Sequence, residues 1–200
     1  MSLVVLTGGV RSGKSAAAER LAVARGAPVV VAVAGWEGDE EMARRVTAHA
    51  RTRPAGFSVR LVDADPGWVA DVPADAVLLL DCLATLVGAI VHEEVGEAPM
   101  AAAGAEERCM ARALAIVEAL CARGGDTVVV TNEAGWGVVP AFASGRVFRD
   151  VLGRANAALV RRADGAWLAV AGRLLDLPRS PTEPAWPAAA GDGTHDETEG

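Results

Sequence analysis

Residues 3–15 read LVVLTGGVRSGKS. A β-branched and leucine run of strand length enters a glycine-rich turn, and the chain leaves it into AAAERLA, a run of strong helix formers. The segment GGVRSGKS (8–15) fits G-x-x-x-x-G-K-[ST], and a strand before it with a helix after it is the context that gives the motif meaning. Gly8 and Gly13 let the backbone through Gly9, Val10, Arg11 and Ser12 turn its N–H groups inward around phosphate oxygens. The positive end of the following helix adds to that field. Lys14 would act on the β- and γ-phosphates, and the Ser15 hydroxyl would ligate Mg²⁺. The plainer reading is a strand–helix turn that binds nothing. The motif in this setting favours a nucleotide, but it says little about a second substrate.

Lys14 is the single lysine of the chain; the other 18 of its 19 Lys and Arg residues are arginine. A surface charge can be carried by either side chain. The narrow space beside the terminal phosphates suits a compact ammonium better than a planar guanidinium.

Outward from the loop, short apolar runs alternate with helical patterns. Candidate strands are 3–7, 28–34, 57–62, 76–81, 127–132 and 166–171, and helical stretches fall near 14–25, 39–51, 83–93, 105–123 and 146–162. This alternation predicts an α/β fold with a mostly parallel sheet flanked by helices. A chain of 200 residues suits one such domain, spanning 1–175. Segment 94–104 has weak periodicity and reads as a mobile connection. From 176 the pattern stops: Pro178, Pro181, Pro184 and Pro187 recur every third residue and an acidic end follows, so 176–200 reads as a disordered tail.

Two further features belong beside the loop. AVLLLD (76–81) ends a buried strand in Asp81, where a magnesium-side carboxylate of the Walker B kind is expected; an ordinary turn aspartate is the alternative. In DEEMARRVTAHARTRP (39–54), Met42, Val46 and His49 share one helix face, so His49 can simply close a core stripe. Yet Arg44, Arg45, Arg51 and Arg53 surround it. Positive neighbours keep an imidazole neutral and nucleophilic, and guanidiniums can hold phosphates against it. Attack on an α-phosphate would then give a nucleotidyl-histidine. His92 and His195 lack such surroundings and read as solvated. TNEAGWG (131–137) would emerge at the carboxyl edge of the sheet, with Trp136 offering a flat apolar surface or packing in a tight turn.

Composition narrows the partners. A net charge of −7 gives the molecule no general attraction to nucleic acid or an anionic membrane. The most apolar stretch, 74–91, carries Asp75 and Asp81, so membrane insertion is not expected. Cys82, Cys109 and Cys121 are odd in number and lack CxxC spacing, as in a reducing cytoplasm.

Taken together, LTGGVRSGKS (6–15), DEEMARRVTAHARTRP (39–54), LLLDCLATLV (78–87), VVVTNEAGWGVVP (128–140) and the segment 145–172 occur in the order of one family. The chain resembles the bifunctional adenosylcobinamide kinase/adenosylcobinamide-phosphate guanylyltransferases of cobalamin biosynthesis. The phosphate loop is generic; the histidine block and TNEAGWGVVP are specific to that family. The resemblance implies a RecA-like P-loop fold assembled as a homotrimer, with adenosylcobinamide and adenosylcobinamide phosphate as acceptors and GTP and ATP as donors. It implies phosphorylation of the aminopropanol hydroxyl, then transfer of GMP through a guanylylated histidine to give adenosylcobinamide-GDP. By the same resemblance His49 is the nucleophile, and Gly8 to Ser15 form the phosphate loop. Ala50, Arg51, Thr52 and Arg53 are nucleotide contacts, as are Ala34, Gly35 and Trp36 on a poorer match, and Asp81 is the acid after the fourth strand. Leu61 stands where the family usually has a glutamate in contact with the nucleotide, Ala157 where a glutamine follows Asn156, and Arg173 where a proline follows Gly172. A kinase without nucleotidyl transfer and a non-catalytic nucleotide switch remain alternatives.

Overall fold

The computed structural model describes residues 1–35, 56–96 and 100–178. Its elements, in chain order, are β1 (Leu3–Gly8), α1 (Lys14–Val23), β2 (Val29–Ala34), β3 (Phe57–Val62), a 3₁₀ turn at Pro66–Val69, β4 (Val77–Asp81), α2 (Leu83–Val95), α3 (Ala105–Ala122), β5 (Thr127–Val130), α4 (Ala143–Arg162), β6 (Gly165–Val170) and β7 (Arg173–Asp176). The seven strands form one sheet in the order β3-β2-β4-β5-β1-β6-β7. All neighbours are parallel except β6 and β7. The strand that feeds the phosphate loop, β1, is separated from β4 and its terminal Asp81 by β5 alone. The fold is α/β with a mostly parallel sheet flanked by helices, as the alternating pattern predicts.

Continuous valine and leucine runs make the central strands because both faces are covered by helices. Along β1 and β5 the burial alternates between two cores. Val5 and Val129 join a large core built by α2, α3 and α4. Leu6, Val128 and Val130 join a smaller one with Ala17, Ala18 and Ala22 of α1. Alanines on α1 let that helix lie close to the sheet, and its position fixes where the loop ends.

Several boundaries differ from the sequence pattern. β5 stops at Val130, and α4 begins at Ala143, three residues before the periodicity suggests. β7 was not foreseen. The predicted helix at 39–51 and the segment beyond 178 lie outside the described residues. Among the described residues no helix is long and apolar enough to cross a membrane.

Arg123 ties the amino ends of two central strands together. It is buried, and its guanidinium donates to the carbonyls of Asp126 at 2.9 Å, Pro73 at 2.5 Å and Ala76 at 2.8 Å. The loop entering β4 is thereby fastened to the turn entering β5.

Candidate active site

The loop joining β1 to α1 lies against the turn that joins β6 to β7. The Gly172 N–H donates to the Ser12 carbonyl at 3.0 Å. Gly8 passes so close to β6 that a Cβ there would collide with the Ala169 carbonyl oxygen. Ala171 and Gly172, with φ of 49° and 80°, form the two-residue turn that makes this support; both central residues at positive φ is the signature of a type I′ hairpin.

Lys14 is only 7% exposed, and its Nζ donates to the Gly9 carbonyl at 2.9 Å. Burial pushes its pKa below the usual lysine range, while Cys82 and Asp81 act to raise it. Ser15 Oγ donates to Asp81 Oδ1 at 3.2 Å. Asp81 stands in register with Val130, on the α1 side of the sheet, and the first turn of α1 brings Ser15 to it. Ser12 Oγ is buried with no partner among the described residues, a donor left for a ligand oxygen. Gly8, Gly9, Val10, Arg11, Ser12, Gly13, Lys14, Ser15 and Asp81 are therefore gathered at one carboxyl edge, Val10 and Arg11 on its exposed rim.

Ala34 ends β2, the strand beside β4, with Gly35 just past it, and Leu61 of β3 packs beside Gly35 with its side chain largely in solvent. An apolar, exposed group thus stands where the resemblance implies a glutamate. Trp36, His49, Ala50, Arg51, Thr52 and Arg53 lie outside the described residues.

Sequence reasoning underused three features. Cys82 is no ordinary core thiol: it is half-buried beside Lys14 at the start of α2, with its Sγ 3.2 Å from Thr85 Oγ1. His92 is exposed as expected, yet it borders a cavity of about 600 Å³ between α2 and the start of α4, lined also by Phe142 and Phe148. A second cavity of about 410 Å³ shares His92 and Phe148 with the first and extends to Thr85 and Asn132. The third feature is Glu133, held against the phosphate loop by Thr7. None of these carries a spacing motif, so the sequence offered no signal beyond the polar strand end at 131–133.

A phosphate loop with a buried lysine and an Asp81-paired serine defines a nucleotide site. Comparison with known proteins defines the family. Residues 4–177 match the family model described as cobinamide kinase / cobinamide phosphate guanyltransferase. The chain belongs to this family. It is 37% identical to the bifunctional adenosylcobalamin biosynthesis protein CobU of Salmonella typhimurium, over 85% of this chain and 96% of that protein. It is 33% identical to the protein of the same name from Escherichia coli, with the same two coverages. Identity to the bifunctional adenosylcobalamin biosynthesis protein CobP of Pseudomonas aeruginosa is 32%, over 88% of this chain and 98% of that one. As a member of this family, the chain is a bifunctional enzyme of cobalamin biosynthesis, a cobinamide kinase and guanylyltransferase.

Proposed function

We propose that the enzyme phosphorylates the aminopropanol hydroxyl of adenosylcobinamide and then moves GMP from GTP, through His49, to adenosylcobinamide phosphate. The observation that carries this reading is the buried Lys14 and the Ser15–Asp81 pair, set in a chain that matches the family from 4 to 177. In the first step Lys14 lies against the β- and γ-phosphates, loop N–H groups hold the oxygens, and the acceptor oxygen displaces nucleoside diphosphate. In the second, a neutral ring nitrogen of His49 attacks the α-phosphorus of GTP and pyrophosphate leaves. The phosphate of adenosylcobinamide phosphate then displaces the imidazole, giving adenosylcobinamide-GDP and the free histidine.

The same reading assigns Gly8 to Ser15, Ala34 to Trp36, Ala50 to Arg53 and Asp81 to nucleotide contacts. The donor set fits Mg²⁺: a hydroxyl and a carboxylate are hard oxygen ligands, and this ion takes its remaining ligands from phosphates and water. Ser15 and Asp81 would hold the ion, which when bound neutralises phosphate charge. A homotrimer is the working form we propose. It is supported by exposed Trp136, Val138, Val139 and Phe142, a contiguous apolar run that a lone chain leaves in water.

Intact mass after incubation with GTP and Mg²⁺ tests the histidine step. One GMP should be added, acid-labile and base-stable as a phosphoramidate is, and His49→Ala should take none. Equal labelling of His49→Ala would displace the nucleophile. Kinase turnover without any adduct would reduce the enzyme to its first step.

A further inference from the structure

The polar run after β5 has no part in the chemistry assigned so far, yet the fold fastens it at several points. Thr131 Oγ1 donates to Asn156 Oδ1 at 2.7 Å, and Asn156 Nδ2 donates to the Asn132 carbonyl at 3.0 Å. These bonds fix the exit of β5 to a buried position on α4. The next residue, Glu133, donates its N–H to the Gly8 carbonyl at 3.3 Å and accepts the Thr7 hydroxyl on Oε1 at 2.5 Å. Thr7 is only 4% exposed. A buried hydroxyl therefore holds a carboxylate against the first residue of the phosphate loop.

A negative charge beside a polyphosphate site repels the ligand unless a cation stands between them. Glu133 is bonded to Thr7 and Gly8, whereas Asp81 is the carboxylate paired with Ser15.

The two faces of the sheet separate the roles. Leu6, Val130 and the residue in register with them, Asp81, lie on the α1 side, where Asp81 meets Ser15. Thr7 comes one residue after Leu6 in β1 and so faces the α2–α4 side, where Thr131, just past the end of β5, bonds Asn156 of α4. On that side the groove lined by Phe148 and His92 reaches Asn132, the neighbour of Glu133. The phosphate loop is thus flanked by a magnesium-side pair on one face and by Glu133 on the other. A bulky acceptor entering along α2 and α4 meets the carboxylate on the side away from Asp81.

We propose that Glu133 is the general base of the kinase step and that Thr7 is its positioning residue. The assignment rests on the kinase half of the function proposed above. The acceptor hydroxyl oxygen forms a bond to the γ-phosphorus. The bond from that phosphorus to the β,γ-bridging oxygen breaks, nucleoside diphosphate leaves, and the hydroxyl proton passes to the Glu133 carboxylate. Thr7 keeps one carboxylate oxygen occupied and leaves the other to face the acceptor.

Full-length wild type, Glu133→Gln and Thr7→Val would be assayed for phosphorylation of adenosylcobinamide and, separately, for GMP labelling. Glu133→Gln should lower kinase kcat by roughly 10²–10⁴-fold, the range of general-base contributions. KM for adenosylcobinamide should stay within about threefold, because the base acts in the transition state and not in binding. GMP labelling should persist, reporting an intact fold and nucleotide site. Thr7→Val should lower kcat by less, with the same KM. A Glu133→Gln enzyme within about tenfold of wild type would overturn the assignment. So would recovery of its turnover at raised Mg²⁺, which would make Glu133 a metal-side group, or loss of labelling along with turnover, which would make it structural. A wild-type chain with no kinase turnover would sink the kinase reading itself.

Discussion

Lys14 sits in a conflict between binding and stability. Its ammonium is buried, donates to the Gly9 carbonyl, and has its pKa lowered chiefly by desolvation. Without nucleotide, that charge is held where water cannot reach it well; in the proposed function, phosphate oxygens become its partners when nucleotide binds. Removing it should therefore abolish function without harming the empty fold. Lys14→Met is expected to lower kinase turnover by roughly 10²–10³-fold, as loss of a preorganised cation or donor does. Calorimetry of the unliganded variant should show a Tm no lower than wild type. A clearly lower Tm would mean that the buried charge stabilises the chain. Residues of this loop were legible because the motif encodes local geometry within eight consecutive positions, 8–15. The Thr7–Glu133 pair was not, since 126 positions separate its members and only the strand order joins them.

The hairpin of β6 and β7 props the loop. Six parallel strands were readable from their apolar runs; the central ones are buried on both faces, which leaves no place for polar residues, while edge strand β3 keeps Ser58 and Arg60. The seventh, RLLD at 173–176, is exposed throughout and reached by an Ala-Gly turn without the asparagine or aspartate that marks a two-residue hairpin. Gly172 links this hairpin to function, with φ of 80° and its N–H on the Ser12 carbonyl. Among the described residues no atom lies within 4 Å of where its Cβ would stand, so a substitution strains the backbone without a clash there. Gly172→Val should cost about 1–2 kcal/mol in urea denaturation, the penalty of a left-handed L-residue. It should also weaken nucleotide binding by shifting Ser12. Unchanged affinity at that loss of stability would show that the loop holds its shape without the hairpin.

At the scale of the molecule, the order β3-β2-β4-β5-β1-β6-β7 brings the strand ends bearing Asp81, Glu133 and the phosphate loop to one edge. Nothing in the sequence states that order. Pattern gave the strands and motif gave the loop, but the groove between α2 and α4, and the face from which an acceptor enters, arise only from packing. The family match supplies the acceptor's chemical class, and the edge gathers the phosphate loop, Asp81 and Glu133, where we propose the kinase step. The most direct test follows the products by mass spectrometry after adding adenosylcobinamide, ATP, GTP and Mg²⁺ to the purified chain. The phosphate ester should form first and adenosylcobinamide-GDP should follow, with His49→Ala halting at the ester and Lys14→Met producing little of either. Nucleotide hydrolysis with adenosylcobinamide left unmodified would contradict the assignment of both transfers to this site.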